Sequence, residues 1–293
     1  MRITLASKTR NLELRARVLR GIRAFFAERG FLEVETPHRI PANAPEPHID
    51  AVPSGEWYLH TSPELAMKRL LAAGYPRIFQ ICRCWREGER GKRHLPEFTM
   101  LEWYRAQADY RALMRDCEDL LTALGFAPDA ARPWPRIAVD EAFRRWAGTT
   151  PEAALDAGTF DELVAFGIEP ALAGLGTPAF LVDYPAACAA LARRKPGRAE
   201  LAERFELYVG GLELANGFSE LTDPEEQRAR FEADREARRR TGRDPYPLPE
   251  PFLDDLARMP PAAGIALGVD RLVMLLAGAE TIDEVVAFGP EEL

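Results

Sequence analysis

The sequence predicts an α+β fold in which an antiparallel sheet is flanked by helices. Strand-like runs are joined by hairpins or long inserts, with no regular alternation of strand and helix. Arg77 to Trp85 and Phe98 to Arg105 are strand-like and flank a charged, glycine-containing loop, so they read as one long antiparallel hairpin. At 293 residues and 47% hydrophobic, the chain can bury a large core, which suits a single catalytic-size domain with a helical insert at about 130–176.

Leu14, Val18, Leu19, Ile22, Phe25 and Phe26 recur at helical spacing before Gly30, predicting a helix over 11–29. Phe31 to Glu35 reads as a strand, the proline-rich 41–56 as a loop, and Trp57 to His60 as a short strand. Ser62-Pro63-Glu64 has the serine, proline and acid of a helix start. Helix follows at 111–124. Strands are expected at 179–184, 205–214 and 264–269, the last running into an apolar helix at 270–276.

Composition narrows the possibilities. No leader pattern or bilayer-length apolar run is present, so a cytoplasmic protein is expected. The net charge of −8 gives a polyanion no general attraction. Arginines alternate with acids from Glu225 to Arg243, the pattern of a solvated helix face. Cys82 and Cys84 lack a second cysteine pair at metal-site spacing and read as small buried thiols.

Phosphate-binding glycine loops and the protein-kinase signature set are absent, so any nucleotide must be held by separate side chains. Period-two alternation puts Gln80, Cys82, Cys84 and Arg86 on one face of the first hairpin strand, and Phe98, Met100, Glu102 and Tyr104 on one face of the second. That face is too polar for plain core. Arg86 suits a phosphate, His94 a phosphate or ribose, and Phe98 a purine. Glu213 and Glu220 would face one cavity and hold Mg²⁺ if a turn at Asn216-Gly217 folds the chain back. Arg271 lies in the first turn of a helix, where its charge and the helix end both attract anions.

In order along the chain, Gly30 to Pro37, Phe79 to Tyr104, and Gly264 to Arg271 resemble the three signature motifs of class II aminoacyl-tRNA synthetases. Thr61-Ser62-Pro63-Glu64, Met100 to Tyr104, Glu213 to Phe218 and Ala263 to Arg271 are most similar to the lysyl subclass, and within it to the elongation factor P lysyltransferases. The resemblance implies activation of lysine or β-lysine by ATP with Mg²⁺, then transfer to a lysine side chain of elongation factor P. It assigns catalysis to Arg86 and Arg271. ATP contacts fall to Arg86, Glu87, His94, Phe98, Glu213, Leu214, Gly268 and Arg271, and metal contacts to Glu213 and Glu220. Ser62, Pro63, Glu64, Glu102, Tyr104, Glu220 and Ala266 would meet the amino acid.

The motif 1 likeness further implies a homodimer. Because the sequence opens directly on the motif 1 helix, no N-terminal anticodon-binding barrel is expected; Ala266 also stands where lysyl-tRNA synthetases usually carry glycine. Leu95 and Gly88 depart from the family pattern, which usually has asparagine and an acid there. Two alternatives stay open: the same adenylation with tRNA or a small amine as acceptor, or a silent regulatory paralog. Retention of Arg86, Glu213, Glu220 and Arg271 argues against the regulator.

Overall fold

The computed structural model describes residues 5–126 and 133–293. Its helices are α1 (Thr9–Glu28), α2 (Glu64–Ala72), α3 (Tyr110–Ala123), the short α4 (Val139–Ala142), α5 (Pro151–Asp156), α6 (Phe160–Leu163) and α7 (Glu169–Ala173), then α8 (Pro224–Arg240), α9 (Glu250–Leu256) and α10 (Val269–Ala277). The strands are β1 (Leu32–Glu33), β2 (Arg39–Ile40), β3 (Pro53–Ser54), β4 (Trp57–Leu59), β5 (Arg77–Trp85), β6 (Glu97–Ala106), β7 (Arg136–Ala138), β8 (Ala179–Pro185), β9 (Arg194–Lys195), β10 (Arg198–Val209), β11 (Leu212–Ser219) and β12 (Ala262–Gly268). The fold is α+β, as the sequence predicts. Two compact units are present: Met1–Ala106 with Thr222–Pro260 and Leu267–Leu293, and Gln107–Leu221 with Pro261–Ala266.

In the first unit the strand order is β1-β5-β6, with a separate three-stranded sheet β2-β4-β3. The β5–β6 hairpin is antiparallel, while β1 lies parallel to β5, so the strands are not uniformly antiparallel. Helix α1 buries Val18, Ile22, Phe25 and Phe26. Phe26 stacks on Phe79 at 4.8 Å and meets Trp103 at 5.2 Å, which fastens the helix to the hairpin's inner face. On α8, Arg228, Arg230 and Arg239 pair with Glu250, Glu226 and Glu236, whereas Arg238 turns inward. Its side chain is buried, donates to the carbonyls of Glu46, Ile49 and Asp244, and pairs with Asp50 at 2.7 Å. It thus anchors the proline-rich loop, whose backbone has few partners of its own.

Asp270, at the start of α10, ties remote segments together. Its carboxylate accepts from Arg15 of α1 at 2.5 Å and from the Thr99 backbone of β6 at 2.7 Å. Asp270→Ala leaves the largely buried Arg15 guanidinium without its counter-ion, and we expect a loss of about 3 kcal/mol, read as a lowered melting temperature.

In the second unit the order is β12-β11-β10-β8-β7, with β9 on β10; β7 runs parallel to β8. Helix α3 begins at Asp109, which caps the amides of Arg111 and Ala112. The helical insert is present as α4–α7, packed around Phe143, Phe160, Ile168 and Leu172; residues 130–132 of its expected span lie outside the described residues. One expectation fails here. The chain reverses at Gly210-Gly211, both left-handed, and not at Asn216-Gly217. Asn216 and Gly217 lie inside β11, opposite Glu206 and Phe205. An Asn-Gly pair is a strong hairpin signal, but here the glycine serves close packing: a Cβ on it would sit 2.9 Å from Ile265 and from the Phe205 ring. Gly217→Ala should therefore cost about 1–3 kcal/mol by overpacking, measurable by thermal denaturation.

Candidate active site

The β5–β6 register sets the floor in the first unit. Gln80 faces Glu102, Cys82 faces Met100, and Cys84 faces Phe98, so the polar faces expected of the two strands coincide. Arg86 follows the end of β5, where its amide donates to the Pro96 carbonyl. Its guanidinium lies 5.1 Å from the centroid of Phe98 and 3.8 Å from Glu89. Arg86 Nε is buried with no hydrogen-bond partner among the described residues, a charged donor left open for an acceptor. Glu89, and not the exposed Glu87, supplies the acid missing at position 88. Gly88 itself is left-handed at φ 76°, which a glycine permits without strain. Leu95 is buried core.

Arg271 reaches the same hairpin loop. Its Nε donates to the Arg93 carbonyl at 3.3 Å and its Nη2 to His94 Nε2. Partial removal from water, followed by the charge of Arg271 and, more weakly, of Arg86, lowers the His94 pKa. The imidazole therefore stays neutral and accepts from Arg271. Arg271 thus contacts the loop at Arg93 and His94, and Arg86 meets the same loop at Glu89. Gly268 caps α10 just before Arg271.

A second, acidic region lies along the same hairpin. Glu102 is fully buried; Ser62 Oγ donates to one carboxylate oxygen at 2.5 Å and Tyr104 to the other at 2.9 Å. Ser62 Oγ also accepts from the Glu64 amide, so this one hydroxyl both starts α2 and steers the carboxylate. Pro63 at the N-cap holds the turn. Glu64 pairs with the buried Lys68 at 2.6 Å, which balances its charge within the helix. Burial first, then the nearby Glu64, raises the Glu102 pKa well above the ordinary carboxylate value. It is poised to lose its proton when a cation arrives.

In the second unit, no turn separates Glu213 from Glu220. Between Leu207 and Tyr208 the β10–β11 register shifts, so Glu213 faces Tyr208 and Ala215 faces Leu207, leaving Leu214 as the extra residue of a bulge. Beyond it the half-exposed positions are Asn216 and Phe218, and Glu220 follows the end of β11. Leu214 is buried, Glu220 is 1% exposed, and Ala266 on β12 is half-buried.

This face carries a network that the sequence reading missed. Arg204 donates to Asn216 Oδ1 at 3.2 Å and to Glu206 at 2.5 Å, while Tyr184 and Tyr208 donate to Glu206 at 2.6 and 2.7 Å. Burial, then the Glu206 charge, pushes both phenols up, so they remain protonated donors. The available signal was the alternation Arg204-Glu206-Tyr208 between Phe205, Leu207 and Val209.

With that geometry established, the class follows. The sequence profile of the tRNA synthetases class II (D, K and N) matches residues 1–292, and the chain belongs to that family. Among curated proteins, it is similar to the "Elongation factor P--(R)-beta-lysine ligase" of Erwinia tasmaniensis, 42% identical over 95% of this chain and 94% of the relative. Proteins of the same name from Salmonella paratyphi B and Salmonella heidelberg are 41% identical over the same shares. No helix among the described residues is long and apolar enough to cross a membrane.

Proposed function

We propose that this chain activates (R)-β-lysine as its adenylate with ATP and joins the acyl group to a lysine side chain of elongation factor P. The observation that carries this reading is a division of charge along one hairpin. Arg86 and Arg271 both contact its loop, and a buried carboxylate held by Ser62 and Tyr104 lies along its strand. A triphosphate suits the first region and an ammonium group the second.

In the first step a substrate carboxylate oxygen attacks the α-phosphorus and pyrophosphate leaves. Arg86, with its open Nε–H, holds the α-phosphate and offsets the charge that grows on its oxygens; Arg271, lined up by His94, holds the far end of the triphosphate. Phe98 offers its ring to adenine, and Glu87 and Gly268 add nucleotide contacts. Glu102, Tyr104, Glu64, Ser62 and Pro63 take the amino acid. In the second step the acceptor ε-amine, as the free base, attacks the acyl carbon, an amide forms and AMP leaves. No protein nucleophile is needed. Glu213 on β11 and Glu220 just after it are oxygen donors of the kind that suits Mg²⁺, and the ion would neutralise phosphate charge when bound.

The deciding experiment incubates the enzyme with ATP and labelled (R)-β-lysine, offering elongation factor P and tRNA separately. Label on elongation factor P is expected; label on tRNA alone would overturn the acceptor. Pyrophosphate exchange with each lysine isomer tests activation independently. We place the enzyme in the cytoplasm as a homodimer formed through the motif 1 segment, where Leu32 is 50% exposed. Sedimentation should give twice the chain mass, and a monomer would remove this proposal.

A further inference from the structure

His60, Cys82 and Cys84 form a cluster for which the ligase chemistry has no use. All three are buried, and one donor atom from each lies within 4.8 Å of the others. The Cys82 and Cys84 sulfurs are 3.9 Å apart, and His60 Nε2 is 3.9 Å from Cys84 Sγ. Two thiolates on a tetrahedral zinc ion at about 2.3 Å each stand about 3.8 Å apart, so the sulfur spacing already matches a shared ion. A disulfide is a poorer account, because neighbours i and i+2 on one face of a strand hold their β-carbons too far apart.

The surroundings point the same way. His60 Nε2 donates to the Arg83 carbonyl oxygen at 2.6 Å, which places the ring's lone pair on Nδ1. His60 is 1% exposed and its Nδ1 has no hydrogen-bond partner, so the ring is not held there by a complete set of protein bonds.

From this geometry we infer that His60, Cys82 and Cys84 form a binding site for a thiolate-seeking metal ion of the Zn²⁺ class, built into strand β5 and the segment before α2. Sequence alone hid it because the third ligand stands twenty-two residues before Cys82, in no recognised spacing.

The test is titration of chelator-stripped full-length protein with Co²⁺. A thiolate-to-cobalt charge-transfer band and tetrahedral visible bands should saturate at one equivalent and disappear on adding Zn²⁺. Trp85, whose ring centroid is 5.7 Å from that of His60, should lose fluorescence in parallel. Cys84→Ser should abolish the charge-transfer band or weaken binding at least tenfold, and His60→Gln should weaken it similarly. A wild-type protein with no charge-transfer band overturns the proposal, as does a band that persists in Cys82→Ser/Cys84→Ser. If the double variant does not fold, thiol labelling of the wild type decides: Zn²⁺ should slow modification of both cysteines, and equal rates with and without Zn²⁺ refute the site.

Discussion

Replacing Arg271 with alanine should lower adenylate formation, read as pyrophosphate exchange, by at least about a hundredfold, with the melting temperature nearly unchanged. The side chain is partly exposed, and its contacts include the Arg93 carbonyl and His94 at the loop, away from the buried core. A group that stabilises charge only as the phosphate expands should lower kcat more than it raises KM for ATP. Arg86→Ala should behave alike, and near-normal exchange in either variant would falsify the nucleotide assignment. Activity should also fall on the acid side. Protonating His94 turns an acceptor for Arg271 into a like charge beside it, and because its pKa is below the ordinary histidine value, the loss comes at a pH below that value.

The second large effect concerns Glu102→Gln. This change keeps the shape and removes the charge that would meet a substrate ammonium. We expect KM for the amino acid to rise at least about thirtyfold, equivalent to about 2 kcal/mol, while KM for ATP stays put. Its proton linkage has a definite sign. The folded-state pKa lies above the ordinary value, so the neutral form contributes stability that is complete below the ordinary carboxylate pKa and is lost as pH rises toward the raised one. Over that same window substrate binding should tighten and release a proton. Glu102→Gln should flatten both slopes; a variant that keeps the wild-type pH dependence would show that another group is responsible.

These residues were legible in the sequence to different degrees. The hairpin face was readable because period-two alternation is local, and a nine-residue strand leaves no ambiguity about which side chains share a side. Arg86, Phe98, Glu102 and Tyr104 followed from it. The spacing of Glu213 and Glu220 was noticed for a wrong reason. No Asn-Gly turn is present, and a bulge at Leu214, which depends on how β10 pairs with β11, decides which side of the strand follows Glu213. Arg238 was read as surface because charge alternation cannot reveal that the 46–50 carbonyls lie against it. Long-range partners are invisible to local pattern, and both misreadings have that origin.

The carboxylate of Asp270 has a temporal consequence. It joins Arg15, near the start of the chain, to Thr99 and to the helix that presents Arg271, so the proposed nucleotide site is complete only once the last of these segments is synthesised. A nascent or truncated polypeptide ending before residue 270 should hydrolyse no ATP to AMP, and on heating, catalytic competence should vanish together with the packing of the amino-terminal helix, with no earlier decline.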